Sequence, residues 1–323
     1  MSILKFFFVL FIVPTVAFSE GKKESISFPT KAIEIVVPWA AGGTSDLTAR
    51  ALAAEMKNHL PQPVIVTNIT GAGGATGHIH VKNQRPDGHT ILFSSISFLG
   101  GYFTGQFPFT YTELQPLANL SDETVVVVVH GESPYMDLND LIMDAKKNPG
   151  KISWAITGTG NSTHIVAEGI RMAANIEIQY VSFDGGAQVR AALMGKHVTV
   201  ATMTGGEAWD YYRAKSFKIL AQSLPKRSAH FSEIPTIKEY GIDFSFNLWK
   251  GLYVPKGVPA TVIAILNDAI AKAVQSKKFQ DFLASVKADL NYLPSDQFAK
   301  FIEKEDKELR ALMSKMGLVR AGR

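Results

Sequence analysis

The chain has 323 residues, 33 Lys and Arg against 29 Asp and Glu, and no cysteine. The lack of cysteine excludes disulfides, thiol catalysis, a cysteine-based zinc site and a lipid-modified cysteine anchor. The formal charge of +4 is small and the basic residues are scattered, so no nucleic-acid partner is predicted. The length exceeds what one hydrophobic core usually fills, which favours two lobes.

The first residues have the pattern of a secretory signal peptide. Lys5 precedes the apolar run Phe6–Val13, small residues stand two apart at Ala17 and Ser19, and a polar stretch follows. The run is shorter than the roughly 20 apolar residues that span a bilayer. Residues 1–19 are therefore predicted to be a signal peptide, cleaved near Ser19, and the mature chain to be exported. An uncleaved N-terminal anchor is the alternative.

After residue 28, strand patterns alternate with helix patterns. The predicted strands are Ala32–Val37, Pro63–Thr67, Thr90–Ser94, Thr124–His130, Ile152–Ile156, Gln179–Ser182, Val198–Met203, Lys218–Ser223 and Leu252–Val254. The predicted helices are Leu47–Leu60, Leu138–Asn148, Thr163–Ala174, Gln188–Met194, Glu207–Ala214, Ala260–Ser276, Lys278–Lys287 and Ser295–Lys315. This alternation predicts α/β lobes with largely parallel sheets.

A glycine-rich turn joins the first predicted strand to the first helix. Glycines allow unusual backbone dihedrals and a close approach by a ligand. Free N–H groups and the positive end of a helix form an anion site that needs no Lys or Arg. The candidate ligand-binding residues here are Trp39, Ala40, Ala41, Gly42, Gly43, Thr44, Ser45 and Asp46. An ordinary strand-to-helix connection is the alternative.

A second turn of the same kind follows the strand Ile152–Ile156. Its candidate ligand-binding residues are Gly158, Thr159, Gly160, Asn161, Ser162, Thr163 and His164. Two such turns in different α/β blocks predict a clamp for an anionic ligand held between two lobes.

Two further glycine-rich segments have weaker signals. Gly71–Gly77 fails the G-x-G-x-x-G frame because Thr76 stands where the last glycine belongs, so it is predicted to be a tight turn and no nucleotide cofactor is expected. Phe183, Asp184 and Gly185 lie at a strand-to-helix junction and are predicted to border the cleft. Asp184 either pairs with a ligand ammonium or caps the helix that begins near Ala187.

Catalysis and metal binding are not predicted. Ser162 and His164 are two residues apart at a helix start, where their side chains should diverge, and no G-x-S-x-G motif is present. His78 and His80 alternate along a segment interpreted as a strand, without a carboxylate at a useful spacing. The chain is therefore predicted to be a binding protein without cofactor or metal, and His164 to be a cap or a second-layer residue.

In combination, these and other segments resemble the Bug, or tripartite tricarboxylate transporter receptor, family of periplasmic binding proteins, over nearly the whole mature chain. The segments that carry the resemblance are Phe28–Ile33, Pro38–Asp46, Pro63–Val66, Asn68, Gly71–Gly74, Pro86–Thr90, Asn148–Ile152, Gly158–His164, Phe183–Ala187, Lys226–Ser228, Ile234–Thr236, Glu239–Gly241 and Trp249–Pro255.

The resemblance implies a type II periplasmic-binding fold, with two α/β lobes and a ligand cleft between them. Lobe 1 is expected at residues 27–122 and 224–323, and lobe 2 at residues 123–223. The hinges are expected near Leu120–Thr124 and Gln222–Lys226. By the same likeness, ligand carboxylates meet backbone N–H groups, hydroxyls and waters, Ser94 and Ser95 border the cleft, and Trp39 lies beside the ligand.

The implied function is a monomeric periplasmic receptor that captures a dicarboxylate, a tricarboxylate or an acidic amino acid. The receptor would deliver it to the integral membrane permease of a tripartite tricarboxylate-type transporter. A sensor that presents its ligand to a membrane signalling protein is the alternative. Asp184 replaces a Lys common among relatives, which favours a ligand with an amino group; Thr199 replaces a common Asp and leaves ligand identity open.

Overall fold

A computed structural model describes residues 27–323. The predicted signal peptide and its cleavage point near Ser19 lie outside the described residues. Within residues 27–323, every helix is too short or too polar to cross a bilayer.

The described chain alternates between strands and helices. The strands are β1 (Ile33–Val37), β2 (Val64–Asn68), β3 (Thr90–Ser95), β4 (Leu114–Glu123), β5 (Val125–His130), β6 (Ile152–Ile156), β7 (Ile178–Ser182), β8 (Val200–Thr204), β9 (Phe217–Gln222), β10 (Leu248–Pro255) and β11 (Ala288–Pro294). The helices are α1 (Thr44–Met56), α2 (Ala75–Lys82), α3 (Ser97–Phe103), α4 (Leu138–Lys147), α5 (Ser162–Ala174), α6 (Gly186–Met194), α7 (Gly205–Arg213), α8 (Ala260–Gln275), α9 (Lys277–Ser285) and α10 (Ser295–Lys315).

The strands form two mixed sheets, one in each lobe. The first lobe holds the order β11-β4-β10-β3-β1-β2, and the second lobe the order β7-β6-β8-β5-β9. Parallel pairs join β1 to β2 and β3, and β6 to β7 and β8. β5 is the first strand after the chain crosses into the second lobe, and β10 is the first strand after it returns to the first lobe. Both strands run antiparallel to their neighbours. The prediction of largely parallel sheets is therefore wrong, whereas the two-lobed α/β class is confirmed.

The valines of β5 explain how the second lobe is filled. Val125 to Val129 are all fully buried, as expected of a strand covered on both faces. Because side chains alternate along a strand, Val125, Val127 and Val129 share one core with Ile165 of α5. Val126 and Val128 face the other way and share a core with Leu193 of α6.

The chain crosses between the sheets at two adjacent points. Thr124 alone separates β4 from β5, and Ser223 follows directly after β9. The Ser223 hydroxyl accepts the Val125 N–H at 3.1 Å and donates to the Phe246 carbonyl at 2.8 Å, so the two crossings are held together. The predicted lobe boundaries and hinges fall at these crossings and stay predictions.

The structure adds elements that the sequence pattern did not indicate: α2, α3, β4 and β11. The strand expected at His78 and His80 is wrong, since both histidines lie in α2. Gly71, Gly73 and Gly74 have positive φ angles and lead into that helix. In β4 the signal was obscured by Pro116 and by polar residues that pair within the sheet.

Candidate functional site

A small cavity lies between the two lobes. Its volume is about 50 Å³, and because one water needs about 10–15 Å³ by this measure, there is room for about four waters. Both sheets contribute to its walls. The lining residues are Trp39, Ala40, Gly43, Thr44, Ser45, Ser95, Ser97, Thr157, Ser162, Thr163, Gly185, Gly186, Thr204, Glu207, Leu248 and Lys250.

Four helices begin at the wall of this cavity: α1, α5, α6 and α7 start at Thr44, Ser162, Gly186 and Gly205. The amino end of a helix carries unpaired N–H groups and about half a positive charge. The lining also holds eight hydroxyl side chains, at Thr44, Ser45, Ser95, Ser97, Thr157, Ser162, Thr163 and Thr204. The cavity is therefore rich in hydrogen-bond donors and suited to a small anion.

A carboxylate braces the first glycine turn from behind. Gly42 has a φ of +83°. The Asp46 carboxylate accepts the Gly42 N–H at 3.0 Å, the Arg50 Nε–H at 3.1 Å and the Asn68 amide at 3.0 Å. Burial by itself would raise the pKa of Asp46, but the hydrogen bonds from Arg50, Gly42 and Asn68 hold it below the usual range. Asp46 thus fixes the loop rather than lining the cavity.

Neutral groups brace the second glycine turn. Gly158 and Gly160 have φ angles of +106° and +79°. The His164 Nδ1 accepts the Gly160 N–H at 3.0 Å, and its ring packs edge-on against Tyr180 at 4.7 Å between centroids. Burial is the main reason that the pKa of His164 is lowered. His164 therefore supports the loop as a neutral ring behind the cavity.

The lobes touch each other around the cavity. The Ser162 N–H, at the start of α5, donates to the Ser97 hydroxyl at 3.0 Å. The Asn161 side-chain amide donates to the Gly73 carbonyl at 3.1 Å. The Thr44 and Thr204 hydroxyls lie 3.1 Å apart. These contacts join the two lobes in a closed arrangement.

A buried ion pair lies beside the first turn. The Lys250 ammonium is 2.5 Å from Glu123 Oε1, and both side chains are about 1% exposed. Lys250 also donates to the Thr44 hydroxyl at 2.8 Å. Burial raises the pKa of Glu123, and the Lys250 charge acts in the opposite direction. Lys250 thus pairs with Glu123 by charge and with Thr44 by a hydrogen bond, and its side chain also lines the cavity.

A second carboxylate stands at the cavity wall. The Thr44 N–H, the first of α1, donates to Glu207 Oε1 at 3.3 Å across the lobes. Arg190 lies behind it, with a guanidinium nitrogen 3.6 Å from the same oxygen. The local charges are thus two acids, Glu123 and Glu207, and two bases, Lys250 and Arg190.

The structure brings about half of the predicted site residues to the cavity. Those that line it are Trp39, Ala40, Gly43, Thr44, Ser45, Ser95, Ser162, Thr163 and Gly185. Those that lie outside its lining are Ala41, Gly42, Asp46, Ser94, Gly158, Thr159, Gly160, Asn161, His164, Phe183 and Asp184. A ligand contact by any of these residues stays a prediction.

Ser94 is turned towards the protein interior. Its hydroxyl lies 2.7 Å from His78 Nε2, and His78 Nδ1 lies 2.8 Å from the Gly74 carbonyl. A carbonyl can only accept, so Nδ1 carries the proton and Ser94 donates to Nε2. Burial lowers the pKa of His78 to about 4, so His78 is a neutral structural residue.

Asp184 is exposed and borders a different, outward-facing pocket with Ser182, Phe183, Gln188 and His197. The N-cap of α6 is Gly185 and no side chain caps it, so the capping alternative for Asp184 is wrong. α6 begins at Gly186, one residue later than a cap at Asp184 would require. The acidic side chain at the cavity is Glu207 instead.

Sequence reasoning missed seven lining residues: Ser97, Thr157, Gly186, Thr204, Glu207, Leu248 and Lys250. Three of them had a readable signal. Thr204 and Glu207 form the T-x-x-E pattern of a capping box, which the structure contains. Lys250 is the lone charge in an otherwise apolar strand whose residues are all buried, and a buried lysine normally requires a partner.

Two α/β lobes that close over a donor-lined cavity define the class of two-lobed periplasmic solute-binding proteins. The chain belongs to the TctC family, the tripartite tricarboxylate transporter family receptors, whose model matches residues 48–318. Members of this family are substrate-binding proteins, and the chain is not an enzyme.

Curated relatives cover most of the chain. The UPF0065 protein in the gbd 5' region of Cupriavidus necator is 30% identical over 303 residues, 93% of this chain and 92% of that protein. Protein BugT of Bordetella pertussis is 29% identical, over 86% of this chain and 87% of that protein.

Solved structures share the fold. The periplasmic binding protein BugD has a TM-score of 0.86 at 26% identity, over 90% of this chain and 99% of BugD. MatC of Rhodopseudomonas palustris, solved with malate, has a TM-score of 0.83 at 24% identity, over 88% and 99% of the two chains. Another R. palustris protein, solved with adipate, has a TM-score of 0.85 at 22% identity, over 90% and 99%.

Proposed function

We propose that the protein is an exported, monomeric periplasmic receptor that captures a small carboxylate between its lobes. It delivers this ligand to the integral membrane permease of a tripartite tricarboxylate-type transporter, without contact with nucleic acid. The observation that carries the proposal is the interlobe cavity, at whose wall four helices begin.

The chemistry of the cavity supports an anionic ligand. Each helix amino end favours a negative group by typically 0.3–1 kcal/mol, and more where the site is partly buried. The hydroxyls add neutral donors, and the Lys250 ammonium, which is paired with Glu123, also lines the cavity and adds charged N–H donors. A carboxylate can use all three kinds of donor, since each of its oxygens accepts two hydrogen bonds.

The ligands of structural neighbours support the same class. MatC was solved with malate and a second neighbour with adipate, and both ligands are dicarboxylates. The small volume of the closed cavity favours a short ligand for this chain.

Capture follows from the position of the cavity between two lobes that are connected by two crossings of the chain. In an open form, water fills the donor-lined walls on both lobes. A ligand that contacts the turn before α1 and the turn before α5 joins the lobes and stabilises the closed form, as in other hinge-bending binding proteins.

The test is isothermal titration calorimetry on the mature chain, without the predicted signal peptide. The protein is first unfolded and refolded to remove bound ligand. The titrants are acetate, butyrate, succinate, malate, citrate, aspartate and glutamate. At least one should bind, and Ser45→Asp should abolish that binding because it places a carboxylate at the cavity wall near the start of α1. An acidic residue in the first turn does not destabilise a helix, so this variant should stay folded.

Ser276→Asp is the matched control. Ser276 is the N-cap of α9, lies outside the cavity lining, and Asp is an equally good N-cap. This variant should bind like the unmodified chain. Binding that survives Ser45→Asp, or a refolded chain that binds none of the titrants, would contradict the proposed function.

A further inference from the structure

Glu207 is held at the cavity by its own helix. It is the third residue of α7 and forms a capping box with Thr204. The Thr204 N–H donates to Glu207 Oε2 at 3.2 Å, and the Glu207 N–H donates to the Thr204 hydroxyl at 3.4 Å. This reciprocal pair directs the carboxylate back towards the start of α7, which lies at the cavity wall.

The same carboxylate reaches the amino ends of two other helices. Oε1 accepts the Thr44 N–H at 3.3 Å, at the start of α1 in the opposite lobe. A Cβ atom on Gly186, the first residue of α6, would lie 1.9 Å from Oε1, and one on Gly43 would lie 3.0 Å from it. The carboxylate therefore packs directly against the backbone where α1 and α6 begin.

Glu207 thus occupies the position at which the first glycine turn would hold a ligand carboxylate. Its charge is balanced by Arg190, which lies 3.6 Å away and also donates to the Gly42 carbonyl at 3.1 Å. Lys250 is occupied by Glu123 and Thr44. A ligand carboxylate near the start of α1 would meet a like charge, which disfavours its binding there.

We propose that Glu207 is a specificity-determining residue of the carboxylate site. It serves as a built-in carboxylate at the start of α1, so the closed cavity selects against a ligand that brings a second carboxylate to that position. This inference rests on the proposed function, since it names the ligand class of the same cavity. A ligand with one carboxylate uses the remaining donors, and a dicarboxylate must first displace Glu207 from Thr44.

The experiment compares butyrate with succinate, which have the same chain length and differ by one carboxylate. Dissociation constants are measured by calorimetry for the unmodified chain and for Glu207→Gln. Glutamine keeps the shape of the side chain and can complete a capping box, while Arg190 becomes free to pair with the second carboxylate. The ratio of succinate affinity to butyrate affinity should rise about tenfold or more in Glu207→Gln.

The matched control is Glu239→Gln. Glu239 is also the third residue of a capping box, with Thr236, and is also paired with an arginine, Arg227. It lies outside the cavity lining, so its replacement should leave the ratio unchanged. Glu207→Ala provides a second variant, which should shift the ratio in the same direction even if the capping box is lost.

An unchanged ratio in both Glu207 variants overturns the inference while leaving the proposed function intact. A third titrant, 4-aminobutyrate, tests the opposite role. If Glu207→Gln weakens 4-aminobutyrate binding and leaves succinate unchanged, Glu207 binds a ligand ammonium and the inference is wrong. If none of the carboxylates binds the unmodified chain or the Glu207→Gln variant, the proposed function itself is wrong.

Discussion

The two glycine turns that flank the cavity look alike in sequence and differ in what holds them. The amide at the start of α1 donates to a carboxylate, Glu207, whereas the amide at the start of α5 donates to a hydroxyl, Ser97. Both partners belong to the opposite lobe. The comparison shows that a helix amino end has an anion preference, and that its actual partner is set by a distant part of the chain.

The supports behind the turns differ in the same way. The first turn rests on charged groups, with Asp46 behind it and the Lys250–Glu123 pair beside it. The second turn rests on neutral groups, the His164 ring and the Asn161 amide. We therefore expect substitutions that change charge to affect stability most strongly near the first turn.

The largest effect is expected at Lys250. Lys250→Met leaves the buried Glu123 without its positive partner, and removing one member of a buried pair typically costs about 3–5 kcal/mol of unfolding free energy. Urea denaturation measures this loss. The double variant Lys250→Met/Glu123→Leu should recover most of it, because an apolar pair needs no charge compensation. A loss below about 1 kcal/mol in the single variant would show that the pair is not the main support of the first turn.

A smaller effect is expected from pH. The pKa of His78, behind the first turn, is lowered from 6.5 to about 4. Between these two pH values, the unfolded chain therefore binds a proton at this residue that the folded chain does not. The free energy of unfolding therefore rises with pH through this window and falls as the pH drops towards 4, by on the order of 3 kcal/mol from this residue.

Urea denaturation at pH 4.5 and pH 7.0 tests this expectation. His78→Phe should reduce the difference between the two pH values, because the titrating ring is gone. The matched control is His59→Gln at an exposed position, which should leave the difference as it is. If the unfolding free energies of His78→Phe at the two pH values differ as much as those of the unmodified chain, the pH dependence comes from other groups.

The smallest effect is expected at the second turn. Ser97→Ala removes the hydroxyl that accepts the Ser162 N–H, and a neutral hydrogen bond contributes about 0.5–1.5 kcal/mol. Urea denaturation of ligand-free chain measures the loss, with Ser285→Ala at an exposed helix position as the control. A loss as large as that of Lys250→Met would remove the distinction between a charged and a neutral side.

Much of this architecture was predictable because it depends on local patterns. The bounds of β6 and α10 agree with the sequence prediction, and both glycine turns do lead into helices. Strand and helix periodicity, together with glycine turns, are properties of neighbouring residues. The predicted clamp likewise rests on two local turns; residues at the helix starts that follow both turns line one cavity, and the clamp itself stays a prediction.

The charged groups of the site were not predictable in this way. Lys250 and Thr44 are 206 positions apart, and Glu207 and Thr44 are 163 positions apart. No local pattern reports such pairs. Asp184 is an example of a local pattern that misleads. Its position in a glycine-rich junction predicted that it borders the cleft, but at the start of α6 it lies beside an outer pocket.

The measurement that tests the central claim most directly is a crystal structure of the chain with the carboxylate that calorimetry identifies as its tightest ligand. The account predicts ligand density in the cavity between Ser45 and Thr163, with a carboxylate oxygen within hydrogen-bond distance of a helix amino end. Ligand density confined to the outer pocket beside Asp184 would contradict it.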